Sequence, residues 1–67
     1  MNTLDAAAEY FLELQNIGRM SLSQLGSFCK SVKFARLVKL KQSYTMVEAN
    51  KAKMIVLVEI LNSIDPR

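Results

Sequence analysis

Few side chains in this chain could carry chemistry. Its 67 residues hold one cysteine, no histidine, six carboxylates and nine cations. Cys29 stands between Phe28 and Lys30. Nearby cations can lower a thiol's pKa and make it reactive. A free cysteine more often behaves as a small buried hydrophobe, and that reading is preferred here. Asp5, Glu9 and Glu13 step by four, so a helix would gather them on one face. Carboxylates in a cluster can exchange protons with a substrate. These have no His, Ser or Cys beside them, so a solvated or ion-paired face is expected. One cysteine makes neither an intrachain disulfide nor a structural zinc site. No nucleophile–base pair is visible, and no enzyme, cofactor or small-molecule substrate is expected.

The cations are more suggestive. The net charge of +3 hides an acidic first quarter (Asp5, Glu9, Glu13) and a middle stretch with no acid at all. That stretch carries Arg19, Lys30, Lys33, Arg36, Lys39 and Lys41. Lys33, Arg36, Lys39 and Lys41 are the candidates for contact with phosphate or with an acidic protein face. Phosphate contacts would make nucleic-acid binding salt-sensitive. With so small a net charge, pairing with the acidic stripe, or plain solvation, ranks first.

The elements that must position these groups read as helices. Asn2 or Thr3 can cap the first. Leu4, Ala7, Ala8, Phe11, Leu14 and Ile17 recur at three-four spacing, which marks an apolar stripe. Gly18 should end the helix as a left-handed residue. Ser21 with Gln24 is a capping box, and a short helix from Leu22 to about Lys30 would offer Leu22, Leu25, Phe28 and Cys29 to the core. Gly26 inside it suggests close approach of another backbone. Ser31 can break or cap again. Val32–Lys41 fits a helix with Phe34, Leu37, Val38 and Lys41 on one side and Lys33, Arg36 and Lys39 on another. A strand through Val38–Gln42, reaching Met46, is the rival, because apolar and polar residues alternate there. A short turn is expected at Gln42–Tyr44.

The last helix is the centre of the chain. Thr45 with Glu48 is a capping box, helix formers follow, and Asp65-Pro66 closes the segment. A strand at Met54–Leu61 would need a turn at Glu48–Lys53, where there is no turn residue. Val47, Asn50, Met54, Leu57, Leu61 and Ile64 form a three-four seam with Asn50 as its polar member. Ile55, Val56 and Ile60 lie off that seam and are apolar too. A helix apolar on two sides must be covered on two sides, so the seam is the candidate protein interface.

The second and third helices, with a break at Lys30-Ser31, have the outline of a helix-turn-helix. Such a unit holds its second helix in the major groove. Leu25, Gly26 and Cys29 fit the spacing of its first helix. The usual turn glycine is absent, and Val32, Leu37 and Leu40 fit only with one extra turn residue.

Size sharpens the seam argument. A chain of this length is one domain at most, 1–67, and a lone core below roughly 70–80 residues seldom supplies more than about 3–5 kcal/mol. Association is the remaining source of stability. The N-terminus carries acids where a signal peptide needs cations, and the apolar run at Met54–Leu61 is far short of a membrane span. The expected object is therefore an all-α, cytoplasmic domain of three or four helices. It would be a hairpin or small bundle built on a long C-terminal helix, a homo-oligomer or the partner of a helical protein. A regulator, adaptor or chaperone working through apolar helix faces is the first expectation. A dimeric helix-turn-helix-like DNA-binding regulator is the second.

Overall fold

The computed structural model describes residues 3–64 as four helices: α1 (Thr3–Ile17), α2 (Leu22–Phe28), α3 (Val32–Thr45) and α4 (Ala49–Ser63). Among the described residues there is no strand, so the strand reading of 32–46 gives way to α3. Asn2 and Asp65-Pro66, invoked as a cap and a stop, lie outside the described residues. α1, α3 and α4 pack on one another, and α2 links α1 to α3. Tyr10 meets Glu59, and at the far ends of their helices Gly18 meets Ser63. α1 and α4 therefore run in the same direction. α3 and α4 are joined by three residues and form a hairpin.

The core is built from Ala6, Tyr10, Leu14 and Ile17 of α1, Phe34, Leu37 and Leu40 of α3, and Val56 and Ile60 of α4. Leu25 and Phe28 of α2 close one end. There the Phe28 and Phe34 rings meet edge to face at 6.1 Å, a favoured aromatic geometry. No helix is long and apolar enough to cross a membrane among the described residues.

The stripe on α1 is rotated from the expected one. Leu14 and Ile17 are buried as expected, but Leu4, Ala8 and Phe11 face outward while Ala6 and Tyr10 take their places. The reason is Tyr10, whose ring and hydroxyl both find partners inside. Leu22 is likewise exposed rather than in the core.

The caps follow the sequence where serine supplies them. Ser21 Oγ accepts from the Gln24 amide at 3.3 Å, and the Ser21 amide donates to Gln24 Oε1 at 2.9 Å. Ser31 Oγ accepts from the Phe34 amide at 3.4 Å and donates to the Phe28 carbonyl at 2.6 Å. One residue thus stops α2 and starts α3, which makes them separate helices.

The α3–α4 junction overturns the Thr45–Glu48 capping box and the Gln42–Tyr44 turn. α3 runs on through Thr45, whose hydroxyl donates back to the Lys41 carbonyl at 2.5 Å. Met46 then takes the left-handed conformation (φ 59°, ψ 32°), and its amide donates to the Gln42 carbonyl at 3.0 Å. Glu48 is the N-cap of α4 and makes no side-chain cap. A tight reversal needs a left-handed residue. The chain offers no glycine here, and an exposed methionine serves.

Both glycines behave differently from expectation. Gly18 has no positive φ. A Cβ there would stand 3.1 Å from the Ser63 carbonyl oxygen, so its role is to let the end of α1 touch the end of α4. Gly26 has nothing within 4 Å of a would-be Cβ, so no backbone approaches it. Gly26→Ala is accordingly expected to stabilise the fold by about 0.5–1 kcal/mol through helix propensity alone. A rise in thermal midpoint with unchanged helicity would show this, and a fall would mean the position is not open.

Candidate functional site

Lys41 is the first of the sequence candidates to be relocated. It is 7% exposed and does not stand with Lys33, Arg36 and Lys39, all exposed. Its ammonium lies 3.1 Å from Glu59 Oε1, donates to Glu59 Oε2 at 3.2 Å, and donates to the Tyr44 hydroxyl at 3.0 Å. It also sits over the Tyr10 and Tyr44 rings, 4.9 and 5.0 Å from their centroids. Tyr10 is fully buried, and its hydroxyl donates to Glu59 Oε1. The cluster joins α1, α3 and α4 through one carboxylate. No buried side-chain polar atom among the described residues lacks a partner, so the cluster is closed rather than poised for a ligand.

Tyr10, Tyr44 and Glu59 were not singled out by sequence reasoning, although a signal existed. Lys41 is the one charge on the apolar side of α3, and Glu59 is the one acid inside the apolar run of α4. Two charges that each contradict their surroundings are candidates to pair.

The cluster carries a pH signature. Burial first, then the hydrogen bond to Glu59 and the nearby Glu59 and Tyr44 charges, hold the Tyr10 phenol well above the ordinary tyrosine value. For Lys41, burial is the largest single influence and pulls its pKa down. Hydrogen bonds to Tyr44 and Glu59, with their charges, pull the other way and together prevail, so it too lies above its ordinary value. Both groups bind their protons more tightly when folded. Their contribution is complete below the unfolded values, about 10 and 10.4, and is lost as pH rises through the folded ones. Melting measured from pH 7 to pH 12 should therefore show stability falling from about pH 10. The fall should be shallower in Tyr10→Phe; an equal slope would mean Tyr10 takes no part.

The basic stripe that remains is Lys33, Arg36 and Lys39. Arg36 is tied to Glu9, with Nη2 at 2.7 Å from Oε2 and Nε donating to the same oxygen at 2.9 Å. Both side chains are well exposed, so the pair contributes at most about 1 kcal/mol. The acidic and basic stripes thus meet at one point within the chain. On the outer side of α3, Val32, Ala35, Arg36, Lys39, Leu40 and Ser43 line an open groove of about 460 Å³.

The seam residues divide. Asn50, Met54 and Leu61 are exposed, while Val47, Leu57 and Ile64 are half-buried, and Leu57 and Ile64 pack against the core. The face of α4 that points inward is Ala52, Val56 and Ile60. Directly opposite, at the helical repeat of about 100° per residue, lie Met54, Val58 and Leu61. They are 63%, 51% and 66% exposed. α4 is therefore apolar both toward the core and away from it, as its composition required.

Cys29 is half-buried, caps the C-terminus of α2 and packs against the core. Comparison with protein-family models, with curated proteins and with solved structures gave no match.

Proposed function

We propose that this chain is a small, non-enzymatic helical module that binds another protein chain through its apolar helix faces, as a regulator, adaptor or chaperone does. The observation that carries the reading is the outer face of α4, where Met54, Val58 and Leu61 stand in the open opposite the core. Isolated surface hydrophobes are ordinary, but a row of them on one helix face is what a helix-binding surface presents.

The test is a Met54→Gln/Leu61→Gln variant. Both side chains are exposed, so the melting curve should move little, within about 0.5 kcal/mol per site. A protein partner that co-purifies with the native chain through nuclease treatment should be lost from the variant. A partner retained by the variant would refute the assignment of this face.

The second reading is nucleic-acid binding by α3. It is favoured by Lys33 and Lys39, which are exposed and have no ion-pair partner among the described residues. It ranks below the first because Arg36 is engaged by Glu9 and Lys41 is buried with Glu59, which leaves two free cations on that helix.

A further inference from the structure

The same reading of exposed apolar faces can be carried to a definite occupant. α1 also has an outer apolar face, made by Ala8, Phe11 and Leu12, with Phe11 53% and Leu12 59% exposed. Glu9 reaches α3 from one flank of α1, whereas Phe11, on the other flank, shares a groove with Ser63 at the end of α4. α1 and α4 therefore lie side by side and form the side of the molecule away from α3. Its apolar residues are Phe11 and Leu12 from one helix and Met54 and Val58 from the other.

The exposed area is of the right size for a dimer. A folded monomer of 7.6 kDa should expose about 4,300 Å². The chain exposes 4936 Å², which is several hundred Å² more. A standard interface buries about 800 Å² on each partner.

Charge says what the cover is. The outer side of α1 carries one charge, Asp5, and the outer side of α4 carries one, Lys51. Both are exposed, and neither forms an ion pair among the described residues. α1 and α4 are each fifteen residues long, run in the same direction and end together at Gly18 and Ser63. Asp5 and Lys51 each lie in the first turn of their helix, so they stand at the same height. A two-fold axis along the helices keeps that height. It lays α1 of one copy against α4 of the other, twice, with Asp5 beside the second copy's Lys51 at both contacts.

We infer that the α1–α4 side is covered by a second copy of this chain, in an isologous dimer whose register is set by Asp5 and Lys51. The basic α3 face would point outward on both copies. This rests on the reading of α4's outer face as a binding surface.

Sedimentation equilibrium at micromolar concentration should find two chains per particle. Asp5→Lys and Lys51→Glu should each place like charges together at both contacts, and each should weaken the dimer about tenfold or more, because such juxtapositions are strongly unfavourable. The double variant Asp5→Lys/Lys51→Glu should recover dimerisation. Helicity should be unchanged in all three, since both positions are exposed. A monomeric native chain, single variants that dimerise as well as the native chain, or a double variant as weak as the singles would each overturn the inference. If the native chain is monomeric yet loses a foreign partner on Met54→Gln/Leu61→Gln, the binding reading stands and only the second copy is removed.

Discussion

Glu59→Ala is expected to destabilise the fold by about 3 kcal/mol, because it leaves the Lys41 ammonium buried with no carboxylate. Tyr10 would lose its acceptor in the same step. A loss of that size is a large fraction of what a core this small provides, so the variant should be partly unfolded at 37 °C. The compensating experiment is Lys41→Met/Glu59→Leu, which removes both charges and fills their space with apolar side chains. Replacements of that kind are often neutral or stabilising. The double variant should therefore be markedly more stable than Glu59→Ala. Urea titrations of the native chain and the two variants check this. Equal stability of native chain and single variant would mean that water already solvates Lys41.

Leu37→Ala should cost a comparable amount, about 2–5 kcal/mol. Leu37 is 1% exposed and sits in the core. Leu61→Ala deletes the same atoms from the outer face of α4 and should change stability by no more than about 0.5 kcal/mol. The contrast separates the two kinds of apolar residue in this chain. One kind folds it and the other is left for a partner. Thermal melts of the two variants side by side are sufficient. If Leu61→Ala melts as early as Leu37→Ala, the outer face takes part in holding the fold together.

Much of the architecture was legible because helical signals here are local. Ser21 with Gln24, Ser31 before Phe34, and the absence of turn residues across α4 each act within a few residues, and the structure keeps all three. The junction at Thr45–Glu48 was misread for a physical reason. Thr45 and Glu48 have the spacing of a capping box, yet the same threonine can donate back to Lys41 and end the preceding helix. Only tertiary packing of α3 decides between the two. The rotation of α1 was hidden in the same way. Leu4 and Phe11 are more apolar than Ala6 and Tyr10, but only Tyr10 has a carboxylate waiting for it on α4. Spacing could say that α4 had two apolar sides. It could not say that Ala52, Val56 and Ile60 face inward and Met54, Val58 and Leu61 outward, because both sets are helix-periodic and similarly hydrophobic.

The central claim is that the outer face of α4 is occupied by protein in the cell. A photo-crosslinking amino acid placed at position 54, with position 39 on the outer side of α3 as the comparison, reads this directly after irradiation of living cells. The account predicts protein adducts from position 54, either of two copies of the chain or of the chain with another protein, and few from position 39. No protein adduct at position 54, with nuclease-sensitive adducts at position 39, would contradict it.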